Sequence, residues 1–213
     1  MYKFLILVLL LVINGCSSVT SNEVIKLDSQ SITTVSPKII EAKLEQTPFD
    51  IWERIRLELT LVIPQDQIAA TSVYRERLYK NQSAVNRISK SGQRYLHHTL
   101  TRAEELGLPV ELALLPFVES EFDPYAKSVD GATGIWQFMP ATGKEWGLKS
   151  NWWYDGKKDV LASTEAALQF LTYLNEKFDG DWLLAMAAYN TGPTRVNRAI
   201  RKNKRQDKPT RFW

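Results

Sequence analysis

Leu115-Pro116-Phe117-Val118-Glu119-Ser120 brings a single carboxylate to the end of an apolar run, and Gly134-Ile135-Trp136-Gln137-Phe138-Met139-Pro140 follows it. The first segment predicts a helix that ends near Glu119, and the second suits the wall of a groove. A carboxyl group held against apolar walls has a raised pKa, because loss of water disfavours its charged form. Enzymes keep a general acid protonated near neutral pH in this way, although a lone helix-terminal Glu more often faces solvent.

Length and composition describe an ordinary globular chain. The 213 residues are 44% hydrophobic and 24% charged. A folded domain of about 150 residues buries enough apolar surface to be stable without disulfides or metal ions. One cysteine excludes an internal disulfide, and a single cysteine with two histidines argues against a zinc site. A net charge of +3 is too small to favour nucleic acid as a partner. We therefore expect no metal and no organic cofactor.

Positive charge is concentrated near the end of the sequence. From Arg195 to Arg211 there are eight lysines and arginines and one acid, Asp207. Such a segment is either a solvated tail or a surface attracted to an anionic cell-wall polymer or membrane.

The N-terminus has the pattern of a bacterial lipoprotein signal. After a positive start, residues 4–13 form an apolar run of ten residues, about half the length that spans a bilayer. Ile13-Asn14-Gly15-Cys16 resembles a lipobox, with Asn14 an unusual residue in it. We expect a signal peptide over residues 1–15 and a lipid on Cys16; the alternative is an ordinary signal followed by a chance cysteine. Ser17, by resemblance to Gram-negative lipoproteins, indicates the periplasmic face of the outer membrane.

The rest of the sequence predicts a tether and then a mainly helical fold. Residues 16–47 lack a sustained helical period and are typical of a flexible linker. Residues 159–178 have the clearest helical period, with Ser163 largely off the apolar face. Residues 128–138 predict a loop or short hairpin. Spacing, caps and prolines predict further helices over residues 49–62, 66–79, 85–106, 110–120 and 182–189, and a basic helix from Pro193.

Prolines and a glycine are predicted to end or bend the helices around Glu119. Gly107 predicts a C-cap, and Asp123-Pro124 is expected to stop the helix that carries Glu119. Pro116 lies inside that predicted helix and is expected to bend it. The predicted fold class is mainly α, with a small non-helical insertion beside the helix that carries Glu119.

Three motifs in order resemble the lysozyme-like catalytic domain of the soluble lytic transglycosylases. They are Glu119-Ser120, the segment from Gly134 to Pro140, and Ala188-Tyr189-Asn190. That family cleaves peptidoglycan between N-acetylmuramic acid and N-acetylglucosamine, adds no water and forms a 1,6-anhydromuramic acid end. The resemblance runs from about residue 49 to residue 213. It implies an N-terminal helical extension over residues 48–92 and a lysozyme-like domain over residues 93–213.

The resemblance also implies a role for each matching residue. Glu119 would protonate the glycosidic oxygen and then deprotonate the C6 hydroxyl, while the substrate's acetamido group stabilises the cation. Ser128 and Gln137 would contact sugars, and Tyr189 would orient the Glu119 carboxyl. Ser120 would support the catalytic turn, or simply cap the helix. Asn190 would complete the groove wall, or simply hold the following turn.

Common glycosidases need two carboxylates about 5 to 10 Å apart, and the sequence offers Glu119 three candidate partners. Glu121 is two residues away and would point elsewhere on a helix. Asp123 adjoins Pro124 and is expected to cap a turn. Asp130 does not lie in a comparably apolar frame, so a mechanism with one carboxylate suits the sequence better.

Two alternatives remain open from the sequence. A lysozyme-type hydrolase would differ in its product, and a non-catalytic peptidoglycan-binding lipoprotein would retain the fold. Proteins of this kind usually continue into small LysM modules, whereas this sequence ends at Phe212-Trp213, so either the sequence is truncated or the protein lacks these modules. We expect weaker retention on glycan, with the basic segment as a partial substitute.

Overall fold

The computed structural model describes residues 50–62 and 64–212. The predicted signal peptide, Cys16 and the whole predicted tether lie outside this part. The described residues form α-helices joined by turns and two short 3₁₀-helices, Gln65–Gln67 and Val110–Leu114. The α-helices are α1 (Ile51–Glu58), α2 (Ile68–Lys80), α3 (Gln82–Gly92), α4 (Leu96–Glu105), α5 (Leu115–Ser120), α6 (Pro140–Glu145), α7 (Val160–Lys177), α8 (Trp182–Thr191) and α9 (Pro193–Lys204).

Helix α7 lies at the centre of the core and packs against α4 and α8. Its N-cap is Asp159, which accepts a hydrogen bond from the Ala162 amide at 3.0 Å. The prediction that Ser163 lies off the apolar face was wrong, because Ser163 is fully buried. Its hydroxyl donates to the Val160 carbonyl at 3.4 Å, which lets a small polar side chain face the core. The other buried residues of α7 are Thr164, Ala166, Ala167, Leu168, Leu171 and Leu174.

The single helix predicted over residues 85–106 is two helices, α3 and α4, separated by a turn at residues 93–95. The break follows Gly92, which packs directly against Phe117. A Cβ atom at Gly92 would lie 2.5 Å from the Phe117 Cζ atom, so a larger residue does not fit. The Tyr95 amide donates to the Gly92 carbonyl at 3.0 Å and closes the turn. Helix α4 then ends, as predicted, before Gly107, which has a φ of 65°.

Helix α1 ends at Glu58, four residues earlier than predicted, because a buried acid binds the chain that follows. Glu111 is fully buried and its Oε1 atom accepts hydrogen bonds from the Thr60 and Leu61 amides, each at 2.6 Å. These bonds offer the backbone an alternative to the helix, since a buried carboxylate must have its oxygens satisfied. Val62 is therefore 81% exposed instead of lying on an apolar helix face.

The expectation that Pro116 bends a continuous helix was wrong. Val110–Leu114 is a 3₁₀-helix, and α5 begins at Leu115, so that Pro116 lies in the first turn of a new helix. Proline is well tolerated there because its missing N–H would have had no partner in the helix. Helix α5 also ends before Asp123-Pro124, since Glu121 adopts a left-handed conformation with a φ of 54°.

A small non-helical segment follows α5, as predicted. Isolated antiparallel bridges join Lys127 to Thr133 and Thr133 to Phe138, and no strand is present in the described part of the chain. The predicted fold class, mainly α with a non-helical insertion beside the helix of Glu119, is confirmed. Across residues 50–62 and 64–212, no helix has the length and apolar character needed to cross a membrane.

Candidate active site

Glu119 lies in the last turn of α5 and is half-buried. The next residue, Ser120, fixes the end of this helix on the segment that follows. Its hydroxyl lies 2.8 Å from the Ile135 carbonyl oxygen and 3.3 Å from the Pro116 carbonyl oxygen, both of which can accept its proton. Ser120 thus joins the end of α5 to the Gly134–Pro140 motif.

The Gly134–Pro140 motif forms a buried aromatic wall beside the end of α5. Trp136 is fully buried, and its Nε1 atom donates to the Thr164 hydroxyl of α7 at 3.0 Å. Gly134 has a φ of 82° and lies against the Lys157 backbone, where a Cβ atom would come within 1.7 Å of the Lys157 carbonyl oxygen. Only glycine fits this position, and the close approach fixes the wall against residues 155–158.

Helix α8 brings Asn190 to the Glu119 carboxylate. The Asn190 Nδ2 atom donates to the Glu119 Oε1 atom at 3.1 Å across a sequence separation of 71 residues. Sequence analysis assigned Asn190 to the groove wall and did not foresee this bond. A hydrogen bond to the carboxylate restrains its orientation, so Asn190 is part of the site itself.

Tyr189 supports the aromatic wall from the same helix. Its hydroxyl donates to the Trp136 carbonyl oxygen at 2.8 Å, and its ring packs against Phe138 and Phe170. The residue is half-buried as a whole, but its hydroxyl lies inside the protein. Burial, reinforced by the negative charge of Glu119, raises the pKa of Tyr189 well above its ordinary value. Tyr189 is therefore a neutral hydrogen-bond donor that lies within electrostatic reach of Glu119.

Gln137 and Ser128 are both half-buried on the loop between α5 and α6. The Gln137 Nε2 atom donates to the Gly134 carbonyl at 2.9 Å and to the Ala126 carbonyl at 3.3 Å. The Ser128 hydroxyl oxygen accepts from the Ala132 amide at 2.9 Å. Both side chains therefore hold the loop together, and their contacts with substrate stay a prediction.

Of the three acids near Glu119 in the sequence, two accept hydrogen bonds from other groups. Glu121 accepts two hydrogen bonds from Arg87, at 2.9 and 3.1 Å. Asp123 accepts from the Tyr125 amide at 2.9 Å and so caps a turn, as predicted. Asp130 is exposed. In the described ranges, no group of three or more His, Cys, Asp or Glu side chains is arranged to hold a metal ion.

Sequence reasoning missed Arg87 and Thr164 as parts of this region. Thr164 lies on the predicted apolar face of α7, so a polar residue there could have suggested a buried partner. Arg87 carries no local signal, because its partner is 34 residues away and on another element.

The part of the sequence that carries Glu119, the aromatic wall and Asn190 is similar to known proteins. A family model described as "Transglycosylase SLT domain" matches residues 89–212, more than half of the chain. The chain belongs to this transglycosylase SLT family. The mainly helical architecture agrees with the lysozyme-like fold expected of an SLT domain, and Glu119, Gln137 and Asn190 all lie inside the matched segment.

The chain is also similar to individual proteins. The chain is 42% identical to "Membrane-bound lytic murein transglycosylase D" of Escherichia coli over 164 residues, which is 77% of this chain and 36% of the relative. It is 45% identical to a "Putative tributyltin chloride resistance protein" of an Alteromonas species, over 58% of this chain and 60% of the relative. A "Peptidoglycan transglycosylase gp16" of Escherichia phage T7 is 42% identical over 40% of this chain. The chain thus spans about a third of the Escherichia coli relative.

Replacing Tyr189 by Phe tests the interior hydroxyl. We expect Tyr189→Phe to lower the free energy of unfolding by about 1 to 2 kcal/mol at neutral pH, because the Trp136 carbonyl loses its donor. Above about pH 10, the ordinary pKa of tyrosine, Tyr189 ionises in the unfolded chain but keeps its proton in the folded one. Wild-type stability should therefore fall toward that of the variant as pH rises.

Urea unfolding of both proteins across this pH range measures the difference. Tyr125→Phe is the control, since Tyr125 is 75% exposed and its substitution should change stability by less than about 0.5 kcal/mol. A wild-type advantage that grows with pH would contradict the burial of the Tyr189 hydroxyl.

Proposed function

We propose that this chain is a peptidoglycan lytic transglycosylase that cleaves the bond between N-acetylmuramic acid and N-acetylglucosamine and leaves a 1,6-anhydromuramic acid end. The observation that carries the proposal is the half-buried Glu119 carboxylate, which accepts a hydrogen bond from Asn190 where the three motifs meet. Family membership supports it, as do relatives from Escherichia coli and phage T7 whose names describe transglycosylases of murein or peptidoglycan.

Glu119 acts first as an acid and then as a base in this proposal. Asn190 donates to Oε1, so we assign the acidic proton to Oε2. That proton moves to the glycosidic oxygen as its bond to C1 of N-acetylmuramic acid breaks, and the N-acetylglucosamine part leaves as an alcohol. The substrate's acetamido group stabilises the positive charge at C1. The C6 hydroxyl then attacks C1 and its proton returns to Glu119, which restores the acid.

Residues around Glu119 take supporting roles. The Gln137 amide nitrogen donates to backbone carbonyls, which leaves its carbonyl oxygen as the group to accept from a sugar hydroxyl. The Ser128 oxygen accepts from Ala132, so its proton is the group to donate to the sugar. Tyr189 and Ser120 hold the wall and the turn between which the Glu119 carboxyl is oriented.

The product distinguishes this proposal from a lysozyme-type hydrolase. The common glycoside hydrolases use a second carboxylate as a base or a nucleophile, yet Glu121 is paired with Arg87 and Asp123 caps a turn. Purified peptidoglycan digested by the protein should give fragments one water lighter than hydrolysis products in mass spectrometry. A digest that contains reducing ends alone would overturn the proposal.

Glu119→Gln separates catalysis from binding. We expect glycan cleavage to fall by at least about 1,000-fold, because the amide can neither give nor take the proton at this position. Co-sedimentation with peptidoglycan should persist, since the amide has the same shape. Asp130→Asn is the matched control and should keep a nearly wild-type rate. Equal losses in both variants would point to a two-carboxylate mechanism, and an active Glu119→Gln would remove Glu119 from the catalytic role.

Asn190→Ala tests the restraint on the carboxylate. We expect kcat to fall about 10- to 100-fold with a small change in KM, because a misplaced acid slows proton transfer more than it weakens sugar binding. Gln169→Ala, at an exposed position of α7, is the control and should leave both constants unchanged. A loss confined to KM would mean that Asn190 binds substrate and does not orient Glu119.

We also propose that the chain is attached through a lipid on Cys16 to the periplasmic face of the outer membrane, beside peptidoglycan. The lipobox-like sequence supports this, and so does the Escherichia coli relative, whose name describes a membrane-bound protein. Cys16→Ser should move the protein from the membrane fraction to the soluble fraction of a cell lysate, because the acceptor of the lipid is lost. An unchanged distribution would contradict lipid anchoring.

A further inference from the structure

The turn that follows Glu119 contains two consecutive non-glycine residues with left-handed backbone angles. Glu121 has a φ of 54° and Phe122 a φ of 60°. Residues with a side chain adopt this conformation at a cost in energy, and they keep it only where surrounding contacts hold them. The turn begins two residues after the proposed catalytic acid, so the contacts that maintain it also bear on Glu119.

The buried side of the turn is held by aromatic packing. Phe122 is 1% exposed and meets Phe117 edge to face, with ring centroids 4.6 Å apart. The Phe122 amide donates to the Pro116 carbonyl at 3.2 Å. Phe117 in turn contacts Trp52 of α1 and Gly92 of α3. These contacts fix Phe122 but leave the side chain of Glu121 at the surface.

The exposed side of the turn is held by Arg87 of α3. Its Nε atom donates to Glu121 Oε2 at 2.9 Å, and its Nη2 atom donates to Glu121 Oε1 at 3.1 Å. This two-bond geometry restrains the direction of the carboxylate as well as its distance. Arg87 lies just before the segment matched by the SLT family model, which begins at residue 89.

The Arg87–Glu121 pair is expected to contribute little to the global stability of the fold. Its side chains are 62% and 44% exposed, and exposed ion pairs contribute little to the free energy of folding. The pair can nevertheless fix the local conformation of the residue to which it is bound. We propose that Arg87 is a positioning residue, which holds Glu121 in its left-handed conformation and thereby keeps Glu119 in place for proton transfer. This inference rests on the proposed transglycosylase function.

Arg87→Ala should lower kcat about three- to tenfold while KM and the melting temperature stay close to wild type. Glu121→Ala should have the same effect, because alanine is strained at a positive φ and has no carboxylate that Arg87 could bind. Glu121→Asn should be close to wild type, since asparagine tolerates the left-handed region without the ion pair. Adding Arg87→Ala to Glu121→Asn should then cost no further activity.

Arg102→Ala is the matched control. Arg102 pairs with Glu105 and Glu165 and joins α4 to α7, so its loss should lower stability without slowing the folded enzyme. The proposal is overturned if Arg87→Ala keeps the wild-type kcat, or if its effect follows the loss of melting temperature seen with Arg102→Ala. Equal losses in Glu121→Asn and Glu121→Ala would also overturn it, since the Glu121 carboxylate itself would then be required.

Hydrogen exchange separates this inference from the proposed function. The Phe122 and Asp123 amides donate within the turn, to Pro116 and Ser120 respectively. Arg87→Ala should speed exchange in peptides that cover residues 117–124, and Arg102→Ala should not. If the wild-type protein does not cleave glycan, the proposed function is wrong, but the exchange difference between Arg87→Ala and Arg102→Ala is unaffected. Unchanged exchange in Arg87→Ala would overturn the proposed positioning role of Arg87, even if the enzyme cleaves glycan.

Discussion

The buried segment at Ile135 and Trp136 joins the three elements on which the site depends. Trp136 donates to Thr164 of α7, its carbonyl accepts from Tyr189 of α8, and the neighbouring Ile135 carbonyl pairs with Ser120 of α5. Each bond satisfies a polar group that would be costly to bury alone, so together the bonds hold the three helices in place around the indole. That arrangement brings Asn190, the next residue on α8, to the Glu119 carboxylate.

The site follows from this geometry because rigid helices carry its two central residues. Glu119 is at the end of α5 and Asn190 near the end of α8, and neither belongs to a long loop. The loop that follows α5, residues 126–137, uses its own polar side chains to pair with its backbone. A wall that is already satisfied internally does not need to reorganise around a substrate, which favours a preorganised acid.

Local signals in the sequence were sufficient for much of the fold. Asp159 caps α7, Gly107 ends α4, and Glu119 lies near the end of its helix because caps and apolar spacing act within a few residues. The two errors in helix boundaries share a cause, which is contact over a long separation. Glu111 ends α1 by binding Thr60 and Leu61, about fifty positions earlier in the chain, and Phe117 requires the glycine after which α3 stops. Pro116 was misread because proline is compatible with both a bend and a first turn.

The left-handed turn also explains how two acids only two residues apart have different roles. On a continuing helix, Glu121 would project from another face of α5 but remain close to Glu119 along the axis. The positive φ at Glu121 directs its carboxylate to Arg87, which holds it through two charge-assisted bonds. Glu119, in contrast, accepts a hydrogen bond from a neutral side chain, that of Asn190. In the proposed mechanism, the proton leaves and returns at this one carboxylate, and the substrate's own C6 hydroxyl completes the reaction.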